Sequence, residues 1–164
     1  MNKAIFLDRD GVINHPKKNY YVFRVEDFIF NKGVFEALQK FIEKDYLLIV
    51  ISNQGGISKG KYSKQDVDNL HEFMGKELVK NGIYLTAVYY CAHHTKVENC
   101  LCRKPKPLML QKAISRFDID ASSSWFIGDK KSDIEAGELA GVQTIKIRKN
   151  QNLMKVADKI IEKH

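Results

Sequence analysis

The sequence predicts an α/β fold, a mostly parallel sheet flanked by helices. Three observations point to it. Short apolar runs alternate along the chain with longer amphipathic stretches, the pattern of strands joined by helical crossovers. Tyr46–Ile51 reads Tyr-Leu-Leu-Ile-Val-Ile without a polar break, as expected of a strand buried on both faces. Helix punctuation lies between such runs: Ser63 is placed as an N-cap, Asp66 sits at the capping-box position, and Gly82 follows the end.

Taken in order, Ala4–Leu7 is a buried strand that stops at Asp8. Gly33–Lys44 spaces Val34, Leu38, Phe41 and Ile42 as a helix does. Tyr46–Ile51 is the second strand, Ser63–Lys80 a helix, and Ile83–Cys91 the third strand. Lys106–Phe117 is a helix with Pro107 in its first turn, where a missing N–H costs nothing. Ser124–Ile127 is the fourth strand, Ser132–Ala140 a short helix ended by Gly141, and Val142–Ile147 the fifth strand. Asn152–Lys163 closes the chain as a helix with Leu153, Val156, Ile160 and Ile161 on one stripe. Three long irregular stretches remain, 11–32, 54–62 and 92–105, and loops of that length in a compact domain are usually functional.

The 164 residues suit one domain, since domains run to about 100–200 residues. A composition of 44% hydrophobic and 29% charged residues excludes a disordered chain and a coiled coil. No apolar run approaches the roughly 20 residues that cross a bilayer. The opening run Ala4–Leu7 breaks at Asp8, too soon for a signal peptide, so a cytoplasmic protein with no membrane partner is expected. Lys and Arg number 27 against 20 acids, a net charge of +7, which favours anionic partners. The 3 cysteines, Cys91, Cys100 and Cys102, are odd in number and crowded. That is a poor disulfide framework and suggests a metal.

In a parallel α/β sheet, ligands bind beyond the carboxyl ends of the strands. The first strand ends Asp8-Arg9-Asp10-Gly11. Two acids so close repel unless a cation lies between them, and magnesium prefers oxygen ligands. The second ends Ser52-Asn53-Gln54-Gly55-Gly56, able to aim a hydroxyl, amides and backbone N–H groups at an anion. Arg103 and Lys104 enter a helix start, where cations oppose the helix dipole and so suggest another task. The fourth strand ends Gly128-Asp129-Lys130-Lys131-Ser132-Asp133. Acids, a hydroxyl, a lysine and more acids at one end of one sheet suit metal-assisted phosphoryl transfer through an aspartyl-phosphate.

These residues resemble the four motifs of the haloacid dehalogenase superfamily, carried by Asp8-Arg9-Asp10-Gly11, Ser52, Lys104 and Gly128-Asp129-x-x-x-Asp133. More narrowly, Phe-Leu-Asp-Arg-Asp-Gly-Val-Ile-Asn, Ser-Asn-Gln-Gly-Gly-Ile-Ser-Lys-Gly, Cys-Arg-Lys-Pro and Gly-Asp-Lys resemble the D-glycero-D-manno-heptose-1,7-bisphosphate 7-phosphatases. The histidinol-phosphate phosphatases are their relatives. The resemblance implies one Rossmann-like domain over residues 1–164, without a cap: a hairpin flap after Asp10 and a metal loop before Lys104 take the cap's place. It implies Asp8 as nucleophile and Asp10 as acid and base. Ser52 and Lys104 would hold the transferred phosphate, with Asp133 steadying the metal shell. Magnesium would bind Asp8, Asp129 and the Asp10 carbonyl.

Cys91-x-His93 and Cys100-x-Cys102 offer four ligands for a tetrahedral, structural zinc, as the resemblance also implies. Alternation places Cys91 and His93 on one side of the extended chain and turns the rival His94 away. Substrate contacts are expected from Asn53, Gln54, Arg103, Lys130 and Lys59, with Lys17, Lys18 and Lys61 as further cations for a second phosphate. The expected partner is a small phosphorylated sugar, and the expected state a monomer. Nucleic acid is not expected, because no basic groove interleaved with aromatics is evident: Tyr20 and Tyr21 are the only candidates, and adjacent aromatics more often pack. A histidinol-phosphate phosphatase, a DNA 3′-phosphatase, a signalling receiver and an inert zinc-held binding module compete with this reading. Asp10, two residues past Asp8, speaks against the receiver because it speeds hydrolysis.

Overall fold

A computed structural model describes residues 1–16 and 20–163. Five parallel strands form one sheet: β1 (Lys3–Leu7), β4 (Tyr46–Asn53), β5 (Ala87–Cys91), β6 (Trp125–Gly128) and β7 (Gln143–Lys146), in the order β5-β4-β1-β6-β7. A separate two-stranded antiparallel ribbon, β2 (Asn14–His15) with β3 (Ile29–Phe30), follows the first strand. This is the expected hairpin flap. The helices are α1 (Val34–Glu43), α2 (Lys64–Val79), α3 (Leu108–Arg116), α4 (Lys131–Leu139) and α5 (Met154–Ile161).

Period-2 alternation sorts the strand side chains onto two faces. Ile5, Leu7, Leu48 and Val50 face one core with Leu38, Phe41, Leu70, Met74 and Ile160 from α1, α2 and α5. Ala4, Phe6, Ile49 and Ile51 face the other with Leu110, Ala113 and Ala136 from α3 and α4. With β1 in the middle, β4 and β5 are laid down on one side and β6 and β7 on the other. The strand order therefore reverses beside β1, and the crevice opens at its carboxyl end.

The capping box of α2 forms as expected: Ser63 Oγ accepts from the Asp66 N–H at 3.1 Å, and Asp66 Oδ2 accepts from the Ser63 N–H at 2.8 Å. The third strand is shorter than its sequence suggests. The Ile83 N–H donates to Leu78 O at 3.1 Å, which closes the end of α2 and is lost to any strand ladder. Ladder pairing with β4 starts only at Ala87. Among the described residues, no helix is long and apolar enough to cross a membrane.

Candidate active site

Asp8 leaves the end of β1 nearly buried, 5% exposed. Its Oδ1 accepts from Lys104 Nζ at 2.9 Å and from the Arg9 N–H at 2.9 Å. Lys104, 3% exposed, also donates to Ile51 O at 2.7 Å and pairs with Asp133 Oδ1 at 2.7 Å. Two of the ammonium's three protons go to Asp8 Oδ1 and Ile51 O, while Asp133 Oδ1 lies at ion-pair distance without a hydrogen bond. Burial opposes the Lys104 charge, but Asp8 and Asp133 more than offset it and hold its pKa above the ordinary lysine value. Asp8 is pushed up to about 7, by burial first and then by Asp133 and Asp10 against the pull of Lys104.

Asp129, just beyond β6, completes a cluster with Asp8 and Asp133 in which carboxylate oxygens lie within 4.8 Å of one another. Burial and Asp133 raise its pKa, and its Oδ1 is buried without a hydrogen-bond partner. Three carboxylates against the Lys104 ammonium leave two formal negative charges in excess. A hard divalent cation with oxygen ligands would cancel that excess and satisfy the orphaned oxygen, so the residues fit magnesium. Two glycines permit the close approach. Gly11 takes φ 89°, and a Cβ there would lie 2.5 Å from Asp129 Oδ2; a Cβ on Gly128 would lie 2.2 Å from Asp133 Cβ.

Asp10 is held differently. Its Oδ1 accepts from Arg9 Nε at 3.3 Å, Arg9 Nη2 at 3.0 Å and Asn14 Nδ2 at 3.0 Å; its Oδ2 accepts from Arg9 Nη2 at 3.0 Å and Gln54 Nε2 at 3.1 Å. Burial works against its charge, yet Arg9, Asn14 and Gln54 prevail and hold the carboxyl below the usual carboxylate range. Arg9 itself is 0% exposed. Gln54 is fixed from behind, because Tyr62 Oη donates to its Oε1 at 2.7 Å. Sequence reasoning missed Arg9, Asn14 and Tyr62 as parts of the site. For Arg9 a signal existed: lying between two cleft-facing acids, it had to turn inward and find anionic partners there.

A cleft of about 300 Å³ opens above these groups, lined by Asp10, Tyr21, Gln54, Arg103, Lys130 and Lys149 among others. An adjoining recess reaches Asp8 and Asp133 and shares Asp10, Asn53, Lys104 and Lys130 with it. Ser52, at the end of β4, is buried and accepts from Gln54 Nε2 at 2.8 Å. The Asn53 carboxamide clasps the Lys104 main chain in both directions, at 3.0 and 3.1 Å. Arg103 lines the cleft while its Nη1 donates to His93 O at 3.0 Å. Lys59 does not line it; its Nζ donates to Tyr21 Oη at 3.2 Å, beside the cleft wall. Lys17 and Lys18 lie outside the described residues. Lys149, carried by the loop after β7, lines the cleft and was not foreseen. Tyr20 and Tyr21 pack edge to face at 4.8 Å, and Tyr21 on Tyr62 at 5.5 Å.

Cys91, His93, Cys100 and Cys102 converge with ligand atoms within 4.8 Å of one another. His93 Nδ1 lies 3.5 Å from Cys91 Sγ and 3.3 Å from Cys102 Sγ. A set of three thiols and one imidazole fits zinc. His94, the rival ligand, points instead toward Gly55 and the cleft wall. The cluster ends one residue before Arg103, so it anchors the loop that delivers Arg103 and Lys104.

A HAD-hydrolase-like family model matches residues 101–160. A D-glycero-alpha-D-manno-heptose-1,7-bisphosphate 7-phosphatase of Campylobacter jejuni is 47% identical over 143 residues, covering 87% of this chain and 80% of that protein. A D-glycero-beta-D-manno-heptose-1,7-bisphosphate 7-phosphatase of Pasteurella multocida is 41% identical over 167 residues, covering 99% and 86%. Among solved structures, the D,D-heptose 1,7-bisphosphate phosphatase of B. bronchiseptica complexed with magnesium and phosphate superposes with a TM-score of 0.85 over 99% of both chains, at 24% identity.

Proposed function

Because the chain belongs to the haloacid dehalogenase-like hydrolases, in the family of the D-glycero-D-manno-heptose-1,7-bisphosphate 7-phosphatases, we propose that it removes the 7-phosphate of a D-glycero-D-manno-heptose 1,7-bisphosphate. The observation that carries this reading is the Asp8 carboxylate, braced by Lys104 at 2.9 Å in a recess that Asp10 also lines. Both anomers occur among the relatives' substrates, and the proposal covers either.

Asp8 attacks phosphorus as the bond from phosphorus to the sugar oxygen breaks, and Asp10, ionised in the free site, passes to that oxygen a proton it takes up from the arriving phosphate monoester. Water then attacks the aspartyl-phosphate, its proton passing to Asp10, and the bond between Asp8 and phosphorus breaks. Lys104 spreads positive charge over the nucleophile and the transferred group. Ser52 and the backbone N–H of residue 53 hold phosphate oxygens, the Gln54 N–H being taken by Cys91 O at 2.7 Å, and Asn53 fixes Lys104 through its main chain. Arg103, Lys130 and Lys149, which line the cleft, receive the rest of the anionic substrate. Magnesium held by Asp8, Asp129 and the Asp10 carbonyl, with Asp133 behind them, would offset the repulsion between nucleophile and phosphate. Zinc on Cys91, His93, Cys100 and Cys102 would be structural, since four protein ligands leave no open position. The site residues, a cytoplasmic monomer and a product destined for nucleotide-activated heptose and surface glycan all belong to this proposal.

The test is phosphate release, with magnesium, from both anomers of the heptose bisphosphate, from histidinol phosphate and from a 3′-phosphorylated oligonucleotide, with Asp8→Asn as the blank. Preference for a heptose bisphosphate, abolished in the variant, is expected. Preference for another ester would keep the chemistry and discard this substrate. A stable phosphoprotein without turnover would favour a receiver.

A further inference from the structure

The proposed chemistry leaves one polar side chain behind the site without a task. His71, on α2, places Nε2 3.1 Å from Arg9 Nη1. A guanidinium donates and never accepts, so the imidazole nitrogen facing it accepts and the ring is neutral. Burial and the Arg9 charge favour the same state, holding the His71 pKa down at about 3. The ring is backed by Tyr90 of β5, edge to face at 5.5 Å, and Tyr90 Oη is pinned to Asp68 Oδ1 at 2.7 Å. On its far side, Arg9 Nη2 donates to Val22 O at 2.6 Å and grips both oxygens of Asp10 at 3.0 Å. One chain of contacts therefore runs from β5 through α2 to the Asp10 carboxylate.

We infer that His71 is a positioning residue for the water-activating half of the reaction: its neutral imidazole accepts Arg9 Nη1 and so fixes the guanidinium that orients Asp10. Val22 O fixes one end of the guanidinium and His71 the other. Without the second anchor the planar group pivots and takes Asp10 with it, and a misplacement near 1 Å at a reacting group is of the size that costs about 100-fold in rate. This inference rests on the phosphatase reading above and deepens it.

p-Nitrophenyl phosphate separates the two halves of the reaction. Nitrophenolate departs without a proton, so the first half makes no demand on Asp10, whereas attack by water does. In His71→Phe the ring contact with Tyr90 is kept and the acceptor removed. The expected result is a burst of about one nitrophenol per enzyme. Steady turnover should then fall at least about 10-fold below wild type, with a phosphoenzyme accumulating that hydroxylamine cleaves. His71→Gln, whose Oε1 can accept in place of Nε2, should recover to within about 3-fold of wild type and lose the burst. Should His71→Phe not fold, His71→Leu carries the same expectation. Unchanged turnover, or a loss without burst or phosphoenzyme, overturns the inference and leaves the phosphatase reading standing. A wild-type protein that releases no phosphate from this ester or from a heptose bisphosphate overturns both.

Discussion

Lys104 Nζ lies 2.9 Å from Asp8 Oδ1 and 2.7 Å from Asp133 Oδ1, so two buried carboxylates divide a single buried ammonium. Asp129 adds a third acid to the cluster, and among the described residues no further cation is buried with it. Asp10 stands apart because it has Arg9 to itself.

Lys104→Met leaves three acids without their shared cation. Removing one partner of a buried ion pair costs about 3–5 kcal/mol, so urea denaturation without divalent metal should show a loss of that order. A loss under about 1 kcal/mol would mean the acids do not depend on the lysine.

Magnesium should stabilise the fold by cancelling the excess charge. A ligand that binds only the native state contributes about 2.7 kcal/mol at 100 times its Kd. The wild-type melting temperature should therefore rise with added magnesium, and Asp129→Asn should blunt the rise by removing a ligand and part of the excess together. An identical rise in both proteins would remove Asp129 from the metal's shell.

Acid should destabilise the protein in a window set by His71. Burial and Arg9 depress its folded pKa to about 3, below the roughly 6.5 of an unfolded histidine. Between those values the unfolded chain binds the extra proton, so this contribution is complete above pH 6.5 and is lost as pH falls toward 3. The loss should be on the order of a few kcal/mol, and His71→Gln should flatten the slope of stability against pH between about 6.5 and 4. An unaltered slope would mean that other groups dominate acid unfolding.

Purified protein should carry about one zinc per chain by elemental mass spectrometry, and Cys102→Ser should reduce that occupancy sharply. His94→Ala should not, because His94 faces Gly55 rather than the thiols. Loss of zinc in His94→Ala would reassign the imidazole ligand.

Much of this was legible from residue types. Tyr46–Ile51 announced a strand buried on both faces, and Ser63 with Asp66 announced the start of α2, because patterning and capping are local properties. Asp8, Lys104, Asp129 and Asp133 could be grouped without coordinates, since a parallel sheet brings its strand ends together. What stayed hidden was the direction of polar side chains within loops. Asn53 lines the cleft, as expected of a substrate contact, but its carboxamide is taken by the Lys104 main chain, a pairing across 51 positions that no spacing rule reports. Lys59 was expected as a substrate cation but reaches Tyr21. Lys149 enters the cleft from a segment that read only as the exit of the last strand.

The central place of β1 also governs how the protein comes to be active during synthesis. The strand bearing Asp8 is made before both of its neighbours, which come from residues 46–53 and 125–128. Until the second of these emerges, one edge of β1 has no ladder partner, and such long-range pairings are slow to form. Asp129 and Asp133 arrive later still. A nascent chain that stops short of them holds Asp8 and Lys104 but not the rest of the acid cluster, so the cluster closes only after residues 129 and 133 have been made.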